Sequence, residues 1–340
     1  MSGPARKFRR MKALRTPPLP QTRPAKQVPT SLAPPHLLRA PEEMAASDFE
    51  ARFKKYVSTL TDALGAPTYA QNGFILFKGD CVDLLARLSQ STIRPELTVT
   101  SPPYNIGKEY EKPLPLNDYL QWCSQWLKGI HAVTADQGAL WLNLGYVDVE
   151  GRGKAVPLPY LMWNLSPFYL RQEVVWNYGA GVSSKRSFSP RNEKWLFYTR
   201  AVDSYTFNLD DVRDPDVKYP NQKKNGKLRC NPLGKNPSDV WQIAKVTSGK
   251  NRSSKERTSH PAQFPLALVD RIVRVSSNPC DIVMDPFSGS GSTGIAAVGS
   301  GRVFLGFELR EDYCRLAIER FENYSALRKR NNSQLKIFNP

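Results

Sequence analysis

Four consecutive residues, Ser101, Pro102, Pro103 and Tyr104, follow an apolar run at 97–100 that is typical of a buried β-strand. Two adjacent prolines fix the backbone φ angle and remove two N–H donors. The turn is therefore expected to be rigid and to present carbonyl oxygens that accept hydrogen bonds without competing donors. The Ser101 hydroxyl adds an acceptor, and the Tyr104 ring can stack on a planar group.

Acceptors of this kind suit a reaction at an aryl amine. The lone pair of a cytosine or adenine amino group is delocalised into the ring, so the nitrogen is a weak nucleophile. Hydrogen bonds from its N–H groups to the Ser101 hydroxyl and the Pro102 carbonyl would favour a pyramidal nitrogen that can attack a methyl group. In a duplex this amine is paired, so the base must first leave the helix. No cysteine stands in a Pro-Cys setting here, which disfavours methylation of a ring carbon.

A second constellation occupies residues 281–308, where a strand pattern is followed by Asp-Pro-Phe-Ser-Gly-Ser-Gly, a helix pattern and another strand. Gly289, Gly291 and Gly294 satisfy the spacing G-x-G-x-x-G of a nucleotide-binding turn. Glu308 ends the second strand and can accept both hydroxyl protons of a ribose. The alternative is a glycine turn followed by a surface acid.

Two features separate S-adenosylmethionine from a nicotinamide cofactor at this turn. Asp285 suits a cofactor with an amino-acid moiety, whose ammonium needs an anionic or polar partner. Only about 32 residues follow Glu308, too few for a second nucleotide-binding half downstream. We therefore predict S-adenosylmethionine, and a nicotinamide-dependent oxidoreductase is an alternative. The five cysteines and three histidines are scattered, so no metal site is expected.

Short apolar runs alternate with helical patterns along most of the chain. This alternation predicts an α/β fold with a doubly wound, mostly parallel sheet of seven strands. Strands are expected at 74–77, 97–100, 139–144, 173–176, 193–199, 282–284 and 303–307, and helices at 48–65, 81–88, 119–133, 158–165, 265–275, 292–298 and 312–324.

Positive charge is concentrated in two regions of the chain, whose formal net charge is +17. Residues 1–46 are rich in basic residues and proline, which predicts a disordered arm. Residues 206–259 interrupt the α/β pattern, and residues 213–257 hold twelve Lys and Arg against four acids. A polyanionic partner and a DNA-recognition insert at 206–259 are the favoured interpretation. The insert then separates a catalytic half at 47–205 from a cofactor-binding half at 260–326, with a basic tail at 327–340.

The motifs together resemble those of the amino-methylating DNA methyltransferases. Ser101–Tyr104 looks like the family's [Ser/Asp/Asn]-Pro-Pro-[Tyr/Phe] catalytic motif, and residues 285–291 resemble its cofactor motif. His260-Pro-Ala-Gln-Phe-Pro is similar to the segment before the cofactor strand. The order of catalytic motif, basic insert and cofactor motif resembles the β-group of the family, found in restriction–modification systems. The resemblance covers roughly residues 70–325.

The resemblance implies which residues hold S-adenosylmethionine. Phe287, Gly289 and Gly291 match family positions that contact it, and Asp80 matches an acid near the adenine pocket. The complete set of predicted cofactor-binding residues is Asp80, His260, Asp285, Phe287, Ser288, Gly289, Gly291, Thr293 and Glu308.

Basic side chains in and before the insert are predicted to contact DNA. They are Lys185, Arg186, Arg191, Lys223, Lys224, Lys227 and Arg229. The alternative for the first three is a solvated basic loop. The segment 231–241 mixes turn residues with a terminal Trp241 and is expected to pack the insert back onto the core.

The chain is thus predicted to be a site-specific DNA methyltransferase that modifies a flipped base. In the family, serine before Pro-Pro favours cytosine N4, with adenine N6 as the alternative. A non-catalytic DNA-binding protein with a decayed site is a further alternative. The expected partners are double-stranded DNA and a restriction endonuclease acting on the same site, with the chain a monomer or homodimer. No apolar run is long enough for a transmembrane helix. The resemblance implies a cytoplasmic protein, bacterial, archaeal or phage-encoded, that acts on chromosomal DNA.

Overall fold

The computed structural model describes residues 46–179, 183, 185–246 and 256–338. The predicted basic arm therefore lies outside the described residues, apart from Ala46. Seven α-helices occur in the described part of the chain: α1 (Ala46–Leu64), α2 (Cys81–Leu88), α3 (Leu116–Val133), α4 (Leu158–Met162), α5 (Leu266–Ser276), α6 (Ser292–Gly299) and α7 (Glu311–Phe338).

Thirteen strands occur in the same residues. They are β1 (Tyr69–Gln71), β2 (Phe74–Lys78), β3 (Leu97–Thr100), β4 (Ala139–Leu144), β5 (Tyr146–Val149), β6 (Gly153–Pro157), β7 (Tyr169–Asn177), β8 (Asn192–Thr199), β9 (Lys223–Lys224), β10 (Lys227–Leu228), β11 (Val240–Gln242), β12 (Ile282–Asp285) and β13 (Val303–Glu308).

Nine of these strands form the central sheet, in the order β1-β2-β13-β12-β3-β4-β8-β7-β11. Strands β2, β13, β12, β3 and β4 are parallel, and β8 runs antiparallel to both β4 and β7. The seven predicted strands are all present, but the sheet has two more than expected. The additions are the three-residue edge strands β1 and β11, which are too short to show a periodicity in the sequence.

Helices cover both faces of the sheet, as predicted for a doubly wound fold. One buried cluster includes Leu60, Leu85 and Trp126 from α1, α2 and α3. The other includes Leu268, Ile295 and Phe321 from α5, α6 and α7. Because five strands are parallel and covered on both faces, their carboxyl ends meet at one edge, where such folds bind ligands.

The basic insert is only partly separate from this core. Strand β11 lies within it and pairs in parallel with β7. Trp241 is 7% exposed, and its ring stacks on Trp141 of β4 with centroids 5.6 Å apart. The expectation that the segment ending at Trp241 packs against the core is confirmed.

The chain end also differs from expectation. Helix α7 continues to Phe338, so residues 327–338 extend a helix instead of forming a separate tail. No helix in the described part of the chain has the length and apolar character needed to cross a membrane.

Candidate active site

One cavity lies at the carboxyl edge of the parallel strands. The segments after β2, β3, β12 and β13 line it, together with residues 260–264. Its empty volume is about 1010 Å³, counting the open mouth. The predicted catalytic turn and nearly all of the predicted cofactor residues line this cavity, which contains Ser101, Pro102, Pro103, Tyr104, Asp80, His260, Asp285, Phe287, Ser288, Gly289, Thr293 and Glu308. Gly291 is the exception, although its neighbours Ser290 and Ser292 both line the cavity.

Two side-chain hydrogen bonds hold the Ser-Pro-Pro-Tyr turn. The Ser101 hydroxyl donates to the Tyr104 hydroxyl at 3.0 Å. Tyr119 of α3 donates to the Pro103 carbonyl at 2.7 Å. Pro102 is buried, and the two prolines bring no N–H groups of their own to the turn. The turn is therefore anchored through Pro103 and Tyr104 while Ser101 faces the cavity.

The glycine loop between β12 and α6 needs backbone conformations that glycine adopts readily. Gly289 has φ +50° and Gly291 has φ +72°. A Cβ at Gly294, one turn into α6, would lie 2.3 Å from the Phe74 ring, so the third glycine allows α6 to pack closely on the sheet. The Ser288 hydroxyl is buried and has no hydrogen-bond partner within the described residues. It is an unsatisfied polar atom in the cavity wall, where a ligand can bond to it.

Asp285 ends β12 as a buried carboxylate. Its Oδ1 accepts from the Thr100 hydroxyl at 2.7 Å and from the Phe287 N–H at 3.1 Å, and its Oδ2 accepts from the Thr293 hydroxyl at 2.8 Å. Burial raises its pKa to about 6, although these hydrogen bonds oppose the rise. The carboxylate is ionised at neutral pH and is held rigidly. Thr293 thus has a visible role in fixing Asp285.

Glu308 ends β13, the neighbouring strand. Its Oε2 accepts from the Gly289 N–H at 2.8 Å, and its Oε1 accepts from the Arg310 N–H at 2.9 Å. Burial raises its pKa as well. Because each carboxylate oxygen has two lone pairs, these bonds orient Glu308 and leave acceptor capacity for a ligand.

Asp80 and His260 belong to different segments of the cavity wall. Asp80 is the N-cap residue immediately before α2, and its Oδ1 accepts from the Val82 N–H at 2.8 Å, so part of its role is to cap the helix. The His260 ring is parallel to the Tyr110 ring and meets the Tyr313 ring edge-on, with centroids 6.0 and 4.5 Å away. Burial lowers the pKa of His260 to about 4, so the ring is neutral at physiological pH.

Several residues of the site carry no signal that sequence patterns could reveal. Tyr110 lies in a loop without a motif, and Tyr313 falls within an ordinary helix pattern. Asn143 is near the carboxyl end of the otherwise apolar strand β4 and accepts a hydrogen bond from Tyr104. Trp122 has the spacing of a core position of α3, yet its ring packs edge-on against Phe287 with centroids 5.8 Å apart.

The predicted DNA-binding residues lie outside the cavity. Lys223, Lys224 and Lys227 belong to the small β9–β10 hairpin, whose Asn225-Gly226 turn has both φ angles positive, at 52° and 77°. These three side chains are exposed, as are those of Lys185, Arg186 and Arg229.

Arg191 differs from the other predicted DNA-binding residues. It is half-buried just before β8, and its Nη1 is buried without a hydrogen-bond partner in the described part of the chain. The basic run at 183–191 predicts a solvated side chain, but the pairing of β7 with β8 draws this position toward the core. DNA binding by any of the seven residues stays a prediction.

Comparison with known proteins places this geometry in a family. A family model described as DNA methylase matches residues 96–319. The chain is 56% identical over 279 residues to the type II methyltransferase M.ScaI of Streptomyces caespitosus, which covers 81% of this chain and 91% of that protein. It is 33% identical over 252 residues to the type II methyltransferase M.BglII of Bacillus subtilis, covering 72% and 68%.

A solved structure titled PvuII DNA methyltransferase (cytosine-N4-specific) superposes with a TM-score of 0.56 and 19% identity, over 78% of this chain and 94% of that one. This likeness supports the fold. The family match and the two relatives exclude the oxidoreductase alternative. The chain belongs to the amino-methylating DNA methyltransferases of the restriction–modification type.

Proposed function

We propose that this chain transfers a methyl group from S-adenosylmethionine to the N4 amine of a flipped cytosine at a specific DNA site. The observation that carries the proposal is that the Ser101–Tyr104 turn and the loop after Asp285 line one cavity. Adenine N6 is the alternative target, and serine at position 101 is the feature that favours cytosine. The names of the type II methyltransferase relatives support DNA as the substrate.

The cavity fits S-adenosylmethionine by charge and by hydrogen bonding. Three acids, Asp80, Asp285 and Glu308, line it and suit a cofactor that carries a sulfonium and an ammonium. The unsatisfied Ser288 hydroxyl and the free acceptor capacity of Glu308 match the polar groups of an amino acid and a ribose. Phe287, held against Trp122, offers an apolar ring face.

The residues of the turn act on the base. The bound cofactor supplies an electrophilic methyl group, which the amine nitrogen attacks as the carbon–sulfur bond breaks. Ser101 and the Pro102 carbonyl accept hydrogen bonds from the amine and localise its lone pair. The positively charged amine then loses a proton to solvent. No covalent bond to the protein is required.

The exposed basic hairpin supports a proposal for the DNA side of the reaction. Lys223, Lys224 and Lys227 lie together on β9 and β10 in the insert, and we assign them to phosphate binding. Lys185, Arg186 and Arg229 add to the exposed positive charge. A restriction endonuclease acting on the same site is the proposed functional partner, and the bacterial cytoplasm is the proposed location, by analogy with the type II relatives.

Expression in a bacterial host that lacks DNA methylation tests the function directly. Sequencing by a method that separates N4-methylcytosine from N6-methyladenine should reveal one short motif with modified cytosines. A motif with modified adenines would replace the proposed target base and keep the amine chemistry. Unmodified DNA from cells that contain folded, cofactor-binding protein would contradict the DNA substrate.

A further inference from the structure

Two side chains of the catalytic turn and one from β4 are linked by a continuous series of hydrogen bonds. The Ser101 hydroxyl is 3.0 Å from the Tyr104 hydroxyl, which is 2.5 Å from Asn143 Oδ1. The Asn143 Nδ2 group is 3.1 Å from the backbone carbonyl of Lys194 on β8. This series of hydrogen bonds therefore begins at the cavity and ends on the backbone of the central sheet.

The Lys194 carbonyl, at the end of this series, determines which group donates in every hydrogen bond. The Lys194 carbonyl can only accept, so Asn143 must present its NH₂ group to it and its carbonyl oxygen to Tyr104. That oxygen can also only accept, so Tyr104 must donate. The Tyr104 oxygen then accepts from Ser101, which commits the single hydroxyl proton of Ser101.

The surroundings keep this arrangement in place. Asn143 has no exposed surface, so water does not compete for its amide. The Tyr104 ring lies against Gly145, where an added Cβ would be 2.8 Å from ring atom Cε2. Burial, with Glu193 nearby, raises the pKa of Tyr104 well above its ordinary value. The phenol therefore stays protonated and can donate its hydrogen bond to Asn143.

We propose that Asn143 is a positioning residue that acts through Tyr104 to hold the Ser101 hydroxyl as an acceptor toward the substrate amine. This inference rests on the proposed amine methylation. With its proton committed to Tyr104, Ser101 offers only lone pairs to the cavity and can accept an N–H. A Ser101 hydroxyl free to rotate could instead donate to the amine nitrogen and occupy the lone pair that must attack the methyl group.

Substitution of Asn143 tests the proposal in the full-length enzyme with duplex DNA. Asn143→Leu keeps the volume roughly constant and removes both hydrogen bonds. The rate of methyl transfer in a single turnover should fall about 10- to 100-fold, the effect of losing one well-placed hydrogen bond in a transition state. The dissociation constants for S-adenosylmethionine and DNA should stay within about twofold.

Two further variants separate positioning from general packing. Asn143→Asp has the same size, and burial favours its neutral form, in which one oxygen accepts from Tyr104 and the other donates to the Lys194 carbonyl, so it should recover part of the rate. Thr98→Val is the matched control, because Thr98 is equally buried, in the neighbouring strand β3, and its hydroxyl has no hydrogen-bond partner among the described residues. Its rate should equal that of the unaltered enzyme.

A double-mutant cycle with Tyr104→Phe gives the sharpest result. Because Asn143 acts through the Tyr104 hydroxyl, adding Asn143→Leu to Tyr104→Phe should lower the rate no further. Multiplicative reductions in the double variant would overturn the proposal, as would an unchanged rate in Asn143→Leu.

Two other outcomes would also overturn it. Loss of cofactor binding in parallel with the rate would assign Asn143 a purely structural role. An unaltered enzyme that methylates no DNA would overturn the proposed function itself, and with it this inference. The unaltered enzyme is therefore the control that distinguishes failure of the one from failure of the other.

Discussion

The cavity edge and the basic hairpin differ in how firmly their functional side chains are held. At the cavity edge, Asp285 accepts three hydrogen bonds and Glu308 accepts two from backbone N–H groups. In the hairpin, Lys223, Lys224 and Lys227 are exposed side chains on strands of two residues each. Chemistry at one atom requires fixed positions, whereas attraction to a polyanion tolerates mobile charges.

Substitution of a residue at the cavity edge should therefore have the largest effect on the rate of methyl transfer. Ser101→Ala removes the acceptor that we propose for the substrate amine, so kcat should fall roughly 10²- to 10³-fold, as for loss of one preorganised catalytic hydrogen bond. The affinity for S-adenosylmethionine should not change. Single-turnover transfer and calorimetric cofactor binding measure the two quantities. Ser204→Ala, in an exposed loop, is the control. Equal loss of both quantities would place Ser101 in the cofactor site.

Removal of charge from the hairpin should change binding and not chemistry. The triple variant Lys223→Ala, Lys224→Ala, Lys227→Ala should lower DNA affinity and reduce the slope of log affinity against log salt by about 3, close to one unit for each phosphate that is no longer neutralised. Transfer at saturating DNA should be unaffected. Fluorescence anisotropy across a salt series measures the slope.

A matched variant removes the same charge elsewhere. Lys54 and Lys55 on α1 and Lys128 on α3 are exposed. Replacing these three by alanine should leave the salt slope nearly unchanged. Equal slopes for the two triple variants would contradict a local role for the hairpin.

Acidification should weaken cofactor binding at the cavity edge, by a smaller factor than the loss of rate expected for Ser101→Ala. Burial raises the pKa of Asp285 to about 6, so the carboxylate is ionised at pH 7.5 and mostly protonated at pH 5.0. Because the ionised form attracts a cationic cofactor, affinity for S-adenosylmethionine should fall about tenfold between these pH values. His260, with a pKa of about 4, stays neutral over this range and does not contribute.

Calorimetric titration at the two pH values measures this fall, and Glu308, whose pKa is also raised, should act in the same direction. Asp285→Asn should bind more weakly and show a smaller dependence on pH. An affinity that does not change between pH 7.5 and pH 5.0 would show that the charge of Asp285 does not hold the cofactor.

The parts of the fold that could be predicted from the sequence are those with a local residue pattern. Strands at 97–100 and 139–144 and the helix at 81–88 match their predicted bounds, because an apolar pattern identifies each one locally. Strand β7 is longer than predicted, since its first residues include Arg171 and Gln172 and are set by pairing with β8. The pairing of β7 with β8 is irregular between Leu170 and Gln172, and the residue pattern does not show where this pairing begins.

The residues of the candidate site also fall into two groups, those that a motif identifies and those that no motif identifies. Ser101, Gly289 and Glu308 are recognisable because each belongs to a motif with characteristic spacing. Asn143 and Tyr110 reach the site only because strands and loops distant in sequence meet at the sheet edge, so no spacing identifies them. Arg191 shows the converse, since a basic run predicts exposure and strand pairing half-buries the side chain.

The Ser101–Tyr104 turn is proposed to direct methylation of an exocyclic amine. Incubation of the purified enzyme and its Ser101→Ala variant with isotopically labelled S-adenosylmethionine and DNA, followed by digestion to nucleosides and mass spectrometry, tests it most directly. The label should appear in N4-methyldeoxycytidine with the unaltered enzyme and fall sharply with the variant. Label in 5-methyldeoxycytidine, or equal labelling by both proteins, would contradict the claim.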